Sequence, residues 1–210
     1  MEKSKGQLGY RAVERIPLSL LFIKIYIVRD MEMELLQELG ELLELLEFYF
    51  REETTIHAHI YAIMGAYYSR KHAGQQRKVM TFYEHALEIG LRLHGEKAVE
   101  VAEIYLSRAN AAANMQLFPL FHKDLPLALK IYKSHSKSGT RIAECHYLQG
   151  KVACLEGKLR EGLHNMQSSA ELLLKMENHV EALCICFELL GFLAGDEVKY
   201  EVLIPLLRLS

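Results

Sequence analysis

Four small residues set the frame of this chain. Gly65, Ala109, Gly150 and Gly191 each sit in the middle of a run that otherwise reads as helix, and they are separated by 44, 41 and 41 residues. A second set keeps step about seven residues earlier: Ala58, Ala102, Ala143 and Cys184. Near-equal intervals of this length mark stacked supersecondary units, each too small to bury its apolar face alone, so the period constrains the fold before any single motif does.

Between these markers helix follows helix. "IHAHIYAIMGAYYSRKHAG" closes near Gly74, and "RKVMTFYEHALEIGLRLHG" closes at Gly95, a glycine suited to a helix C-terminus. "EKAVEVAEIYLSRANAAANMQLF" runs to a break at Pro119, and "LPLALKIYKSHSK" begins a fourth helix with a proline where helices tolerate one. On this reading "LFPLFHKD" is an insertion between the two. The runs beginning at Thr140, Lys158, His179 and Val198 complete eight half-units, with no β alternation after residue 30. Upstream, "MEMELLQELGELLELLEFYF" places Leu35, Leu39, Leu42 and Leu46 on one face, interleaved with glutamates. That helix belongs to an N-terminal helical segment, residues 1–53, expected to pack on a repeat domain spanning 54–210.

The even helices carry their own mark, a large residue before a small one. Tyr83 precedes Ala86, Met166 precedes Ser169 and Ala170, and Tyr132 precedes His135, where alanine is expected. The clearest copy of the whole unit is "LQGKVACLEGKLREGLHNMQSSAELLL". Each of its three glycines would cost about 1 kcal/mol relative to alanine inside a helix. Their spacing is accounted for by one helix, a turn at Gly157, and a second helix pressed close to the first through Gly150 and Gly162.

These residues resemble the tetratricopeptide repeat family. There a small residue in the first helix admits the second, glycine ends the first helix, and a large-then-small pair marks the second. The resemblance covers roughly residues 54–195, and the lengthened period of about 42 is similar to that of kinesin light chains. It implies an all-α fold, a right-handed α-solenoid of antiparallel helix hairpins. The family's usual tryptophan is absent, as is the proline that ends a unit. A HEAT-like or armadillo-like stack has a similar period and is the structural alternative.

Catalytic patterns are not found. Ten histidines invite a metal, yet no pair has the His-x-x-x-His spacing with an adjoining glutamate that a helical zinc hydrolase uses. The three glycines are spaced by seven and five, unlike a phosphate loop, and no Gly-x-Ser-x-Gly elbow occurs. The expectation is a non-enzyme with no cofactor and no metal. A net charge of −2 supplies no field to gather nucleic acid. A membrane is not expected as a partner either. The apolar run "IPLSLLFIKIYIV", residues 16–28, is shorter than a membrane helix needs and contains Lys24, so it reads as a buried helix or extended segment. Cys145, Cys154, Cys184 and Cys186 lie within helical runs, which fits reduced, buried thiols of a cytoplasmic protein.

What remains is surface for another protein. Stacked hairpins line a groove with the first helix of each unit, and such grooves hold extended peptides or helices. Counting along these helices at alternating three and four gives one stripe through His59, Ala66 and Arg70, one through Glu103, Leu106, Asn110 and Asn114, and one through Glu144, Tyr147 and Lys151. Arg70, Asn110, Asn114, Tyr147 and Lys151 are therefore the candidate partner-binding residues. The paired Lys, Asn and Arg clamp with which some family members hold chaperone C-termini is not met. Lys130, Lys133 and Lys137 form a basic stripe beside the serine-rich "SHSKSGT", and read as a solvated face. A second reading is a structural slice or subunit of a larger helical assembly, self-associating through the apolar runs at 16–28 and "YEVLIPLLRLS". An enzyme with an unusual site would need bound metal or cofactor to support it.

Overall fold

The computed structural model describes residues 3–71, 74–182, 184 and 185, with side chains from residue 14 onward. Eight α-helices follow one another in order among these: α1 Lys3–Arg29, α2 Glu32–Tyr49, α3 Thr55–Lys71, α4 Gln76–His94, α5 Val99–Asn114, α6 Phe118–Lys133, α7 Gly139–Leu155 and α8 Leu159–Lys175. Residues 179–182, 184 and 185 are also helical, and no described residue is in a strand. None of these helices is long and apolar enough to cross a membrane. Gly191, Cys186 and "YEVLIPLLRLS" lie outside the described residues. Packing divides the chain into two compact units, Met1–Gly95 and Glu96–Ser210, with the divide inside the stretch read from sequence as one repeat domain.

In the first unit α1 and α2 form a hairpin, as do α3 and α4. The leucines read as one face of α2 are its buried residues, each 1% exposed or less. Arg15 of α1 bridges Glu38 and Glu41 of α2 at 3.4 and 2.5 Å. Arg15 and Glu41 are exposed, so the contacts orient the pair more than they stabilise it. Residues 16–28 are helical, as one of the two sequence readings has it, but only Ile16, Ser19 and Ile23 are buried. Leu18, Leu21, Phe22, Ile25 and Val28 point outward. In the second hairpin Gly65 lets the ring of Tyr83 lie against α3, because a Cβ there would come within 2.6 Å of Tyr83 Cε2.

The second unit shows how the repeat is assembled. Gly150 and Gly162 bring the backbones of α7 and α8 together. A Cβ on Gly150 would stand 2.5 Å from Met166 Cγ and 2.7 Å from the Gly162 carbonyl oxygen, and one on Gly162 would stand 2.8 Å from the Gly150 oxygen. Met166, at zero exposure, fills the space beside the contact, and Ser169 donates a 2.6 Å hydrogen bond to the Ala143 carbonyl. Ala102, Leu106 and Ala109 of α5 join Phe121, Leu125, Ala128 and Tyr132 of α6 and Cys145, Leu148 and Val152 of α7 in one core. Ala143 joins Leu163, Met166, Ala170 and Leu173 of α8 with Ala182 and Ile185 in the next. Consecutive helices thus pack on their neighbours throughout the unit.

One backbone device closes four of the helices. At the ends of α1, α5, α7 and α8 a single residue enters the left-handed region, namely Asp30, Gln116, Gly157 and Glu177, with φ of 58, 57, 80 and 59°. In each case the following N–H reaches back five residues: Met31 to Tyr26, Leu117 to Ala112, Lys158 to Ala153 and Asn178 to Leu173, all at 2.8–2.9 Å. This is the Schellman arrangement, which satisfies carbonyls the helix end leaves free.

The turn at Met115–Leu117 corrects the sequence reading of the second hairpin. α5 ends at Asn114 and α6 begins at Phe118, so "LFPLFHKD" is not an insertion but the last turn residue and the first two turns of α6. Pro119 falls in the first helical turn, where an N–H needs no partner, and Pro126 lies inside the helix. Asp124 binds the segment down. It is fully buried and accepts from Arg108 Nε at 2.6 Å and Nη2 at 2.8 Å. The large-then-small pair of α6 is then Leu125 and Ala128, both buried, one period of 41 before Met166 and Ser169. His135 lies beyond the end of α6.

Two predictions follow from this packing. Gly150→Leu overpacks the α7–α8 contact and lowers unfolding free energy by about 1–3 kcal/mol or more, measured by urea melts; unchanged stability would show the register to be wrong. The second concerns acid. His57 Nδ1 accepts the Thr54 N–H at 3.0 Å, so a neutral imidazole caps α3. Burial pushes this histidine below the ordinary 6.5 against the opposing pull of Glu53 and Glu47. Burial and then Lys133 push His146 down likewise. The unfolded chain takes up these protons first. Stability is therefore whole above pH 6.5 and declines as pH falls from there toward the lower folded values. His57→Gln, whose amide oxygen can accept the same N–H, should flatten part of that decline in thermal melts recorded across the range.

Candidate functional site

The surface of interest in the second unit lies on α5, α7 and the helical residues after Asn178. Residues 41 apart occupy the same position on successive first helices, so Glu103 corresponds to Glu144, Leu106 to Tyr147 and Asn110 to Lys151. Asn110 and Asn114 are exposed on α5, and Tyr147 and Lys151 are half-buried on α7. Arg70 is exposed in the last turn of α3 and belongs to the other unit.

Arg141 links the two corresponding glutamates. Its Nε donates to Glu103 at 2.8 Å and its Nη1 to Glu144 at 2.8 Å. Each carboxylate keeps 39% of its side-chain exposure and the guanidinium 46%. Beneath them the Tyr132 hydroxyl is held neutral, first by burial and then by the negative charge of Glu103.

Next to this bridge a cavity of about 410 Å³ opens between α7, α8 and the following helical residues. α7 contributes Arg141, Glu144 and Tyr147 to its wall. Leu173 and Ile185, both largely buried, give it an apolar floor with Ser169. Glu181 and Cys184 stand on the far side. Glu181 accepts a 2.8 Å hydrogen bond from the neutral Asn178 amide and has no ion pair among the described residues. Of the sequence-predicted residues, Tyr147 lines this cavity, whereas Asn110, Asn114 and Lys151 are not among its lining residues.

The thiols divide by environment. Cys145 is buried, and burial followed by Glu144 pushes it up to about 12, so it stays protonated and unreactive. Burial also raises Cys154. Cys184 is exposed at the cavity, unlike the buried thiol read from sequence. Among the described residues no three of His, Cys, Asp and Glu gather as a metal-holding group. The arrangement can grip a side chain through apolar contact and charge.

Sequence reasoning found Tyr147 by counting along the helix but passed over Arg141, Leu173 and Glu181. Arg141 was within reach, being three residues before Glu144 and so one helical turn away on the same face. Leu173 and Glu181 come from other helices, and only the packing brings them to Tyr147. Compared with protein-family models and with curated proteins, the chain matches neither.

Proposed function

We propose that the chain is a non-catalytic interaction scaffold of the tetratricopeptide-repeat kind, a cytoplasmic right-handed solenoid that binds a peptide or helical segment of a partner protein. The observation that carries this reading is the cavity at Tyr147, placed where a first helix meets the next hairpin. A concave site with an apolar floor and a few converging polar groups suits a side chain of a docked segment. Glu103 and Asn110 repeat at 41 residues in Glu144 and Lys151, which extends the same face along α5, where Leu106 is buried in the core and Asn110 and Asn114 offer amides to a bound backbone.

Cys184 provides the test, since an occupant of the cavity covers it. Peptides selected by display against the folded protein should slow alkylation of Cys184 by N-ethylmaleimide and bind Tyr147→Ala more weakly. Peptides that leave both the labelling rate and the Tyr147→Ala affinity unchanged would place binding elsewhere and overturn the reading.

A second reading, a subunit of a larger helical assembly, is favoured by α1. Its outward stripe of Leu18, Leu21, Phe22, Ile25 and Val28 recurs at helical spacing opposite the face it buries, and an exposed apolar stripe of this kind suits a second copy. Light scattering after size exclusion should then report a dimer or higher species that Leu21→Glu with Ile25→Glu converts to monomer. A wild-type monomer at high concentration rules this reading out.

A further inference from the structure

The walls of the Tyr147 cavity carry more information than its shape. Arg141 is its basic lining group and is already bonded on two sides, to Glu103 and Glu144. An anion entering here would have to displace one of those carboxylates. A cation meets the opposite situation. Glu144 retains 39% of its exposure beside Arg141, and Glu181, which also lines the cavity, has a neutral amide as its partner among the described residues. Two carboxylates, Glu103 and Glu144, flank the one guanidinium, and Glu181 adds a further negative charge to the cavity lining, so the local balance is negative although the chain as a whole is nearly neutral. Below these charges the surface is apolar, formed by Tyr147, Leu173 and Ile185.

We infer that the cavity selects a segment carrying an arginine or lysine beside an apolar residue, the aliphatic stem lying on Tyr147, Leu173 and Ile185 and the cationic head reaching Glu144 and Glu181. Long basic side chains are built for such a surface, burying methylenes while the charged end stays near water and acid. A cavity of about 410 Å³ exceeds the volume of one side chain, which is why the guest includes an apolar neighbour. Lys151 lies one turn beyond Tyr147 on α7, and its charge steers the guest's cation toward the Glu144 end. This inference rests on the peptide-binding reading and adds the chemistry of the partner.

The experiment uses three fluorescein-labelled heptapeptide pools, identical in their degenerate apolar positions, with arginine, citrulline or glutamate fixed at the centre. Fluorescence polarisation against the full chain should show the arginine pool binding about five- to tenfold tighter than the citrulline pool, as expected for two partly exposed charge contacts. Added salt should shrink that margin. Glu144→Gln combined with Glu181→Gln should erase it without changing the melting temperature, and the arginine pool should protect Cys184 from alkylation. Equal binding of the arginine and citrulline pools, or tighter binding of the glutamate pool, with Cys184 still protected, overturns the cationic preference while leaving peptide binding in place. Absence of saturable binding by all three pools, together with unprotected Cys184 in the presence of display-selected peptides, overturns both.

Discussion

Where α7 crosses α8 the two main chains come close at a pair of glycines, with the Met166 and Cys154 side chains flanking the contact. Gly150 and Gly162 each leave a space that the other's carbonyl oxygen enters. Helices ordinarily pack with their axes 8–10 Å apart, held off by side chains, and removing both Cβ atoms is what permits a closer approach. Much of the unit follows from that closeness. It brings Ser169 within reach of the Ala143 carbonyl, seats Met166 in the core, and sets α8 where Leu173 can form the floor of the cavity beside Tyr147.

The hairpins share this logic but solve it with different residues. α3 and α4 use Gly65 against the ring of Tyr83, whereas α5 and α6 use Ala109, Ala112 and Ala128 around Tyr132 and Phe121. In each case small residues at the crossing admit one or more large buried side chains, as close packing of an interior requires. Constant geometry with changing side chains also explains why the period is plain in the sequence while few residue identities recur.

The helices were legible where their signals are local. The succession of helices, the turn at Gly157, the helix end at Gly95 and the leucine face of α2 are all in the structure, and α5 and α7 carry Ala109 and Gly150 at their 41-residue offset. The reading failed at the start of α6, because Pro119 and the charged pair Lys123 and Asp124 looked like an insertion, and Pro126 like the first turn of a helix that in fact begins at Phe118. Pro119 occupies a position that tolerates it, and Asp124 is buried only because Arg108, sixteen residues away, neutralises it. Three of the four Schellman turns were hidden for a related reason. Asp30, Gln116 and Glu177 adopt a backbone conformation normally signalled by glycine, held there by the hydrogen bonds of the turn. Of the site, one wall was legible, since Glu144 and Tyr147 lie on a single helix. Its floor and far side, from Leu173 to Ile185, depend on tertiary contact that periodicity does not encode.

The Arg108–Asp124 pair bears on how such a chain can change over time. Loss of either partner alone strands a buried charge and is disruptive by about 3–5 kcal/mol, whereas exchange of both for well-fitting apolar residues can be nearly neutral. A lineage that drifts away from this pair must therefore cross a valley or change both positions together. Among descendants of one ancestor, arginine at the first position and aspartate at the second should be inherited as a single character.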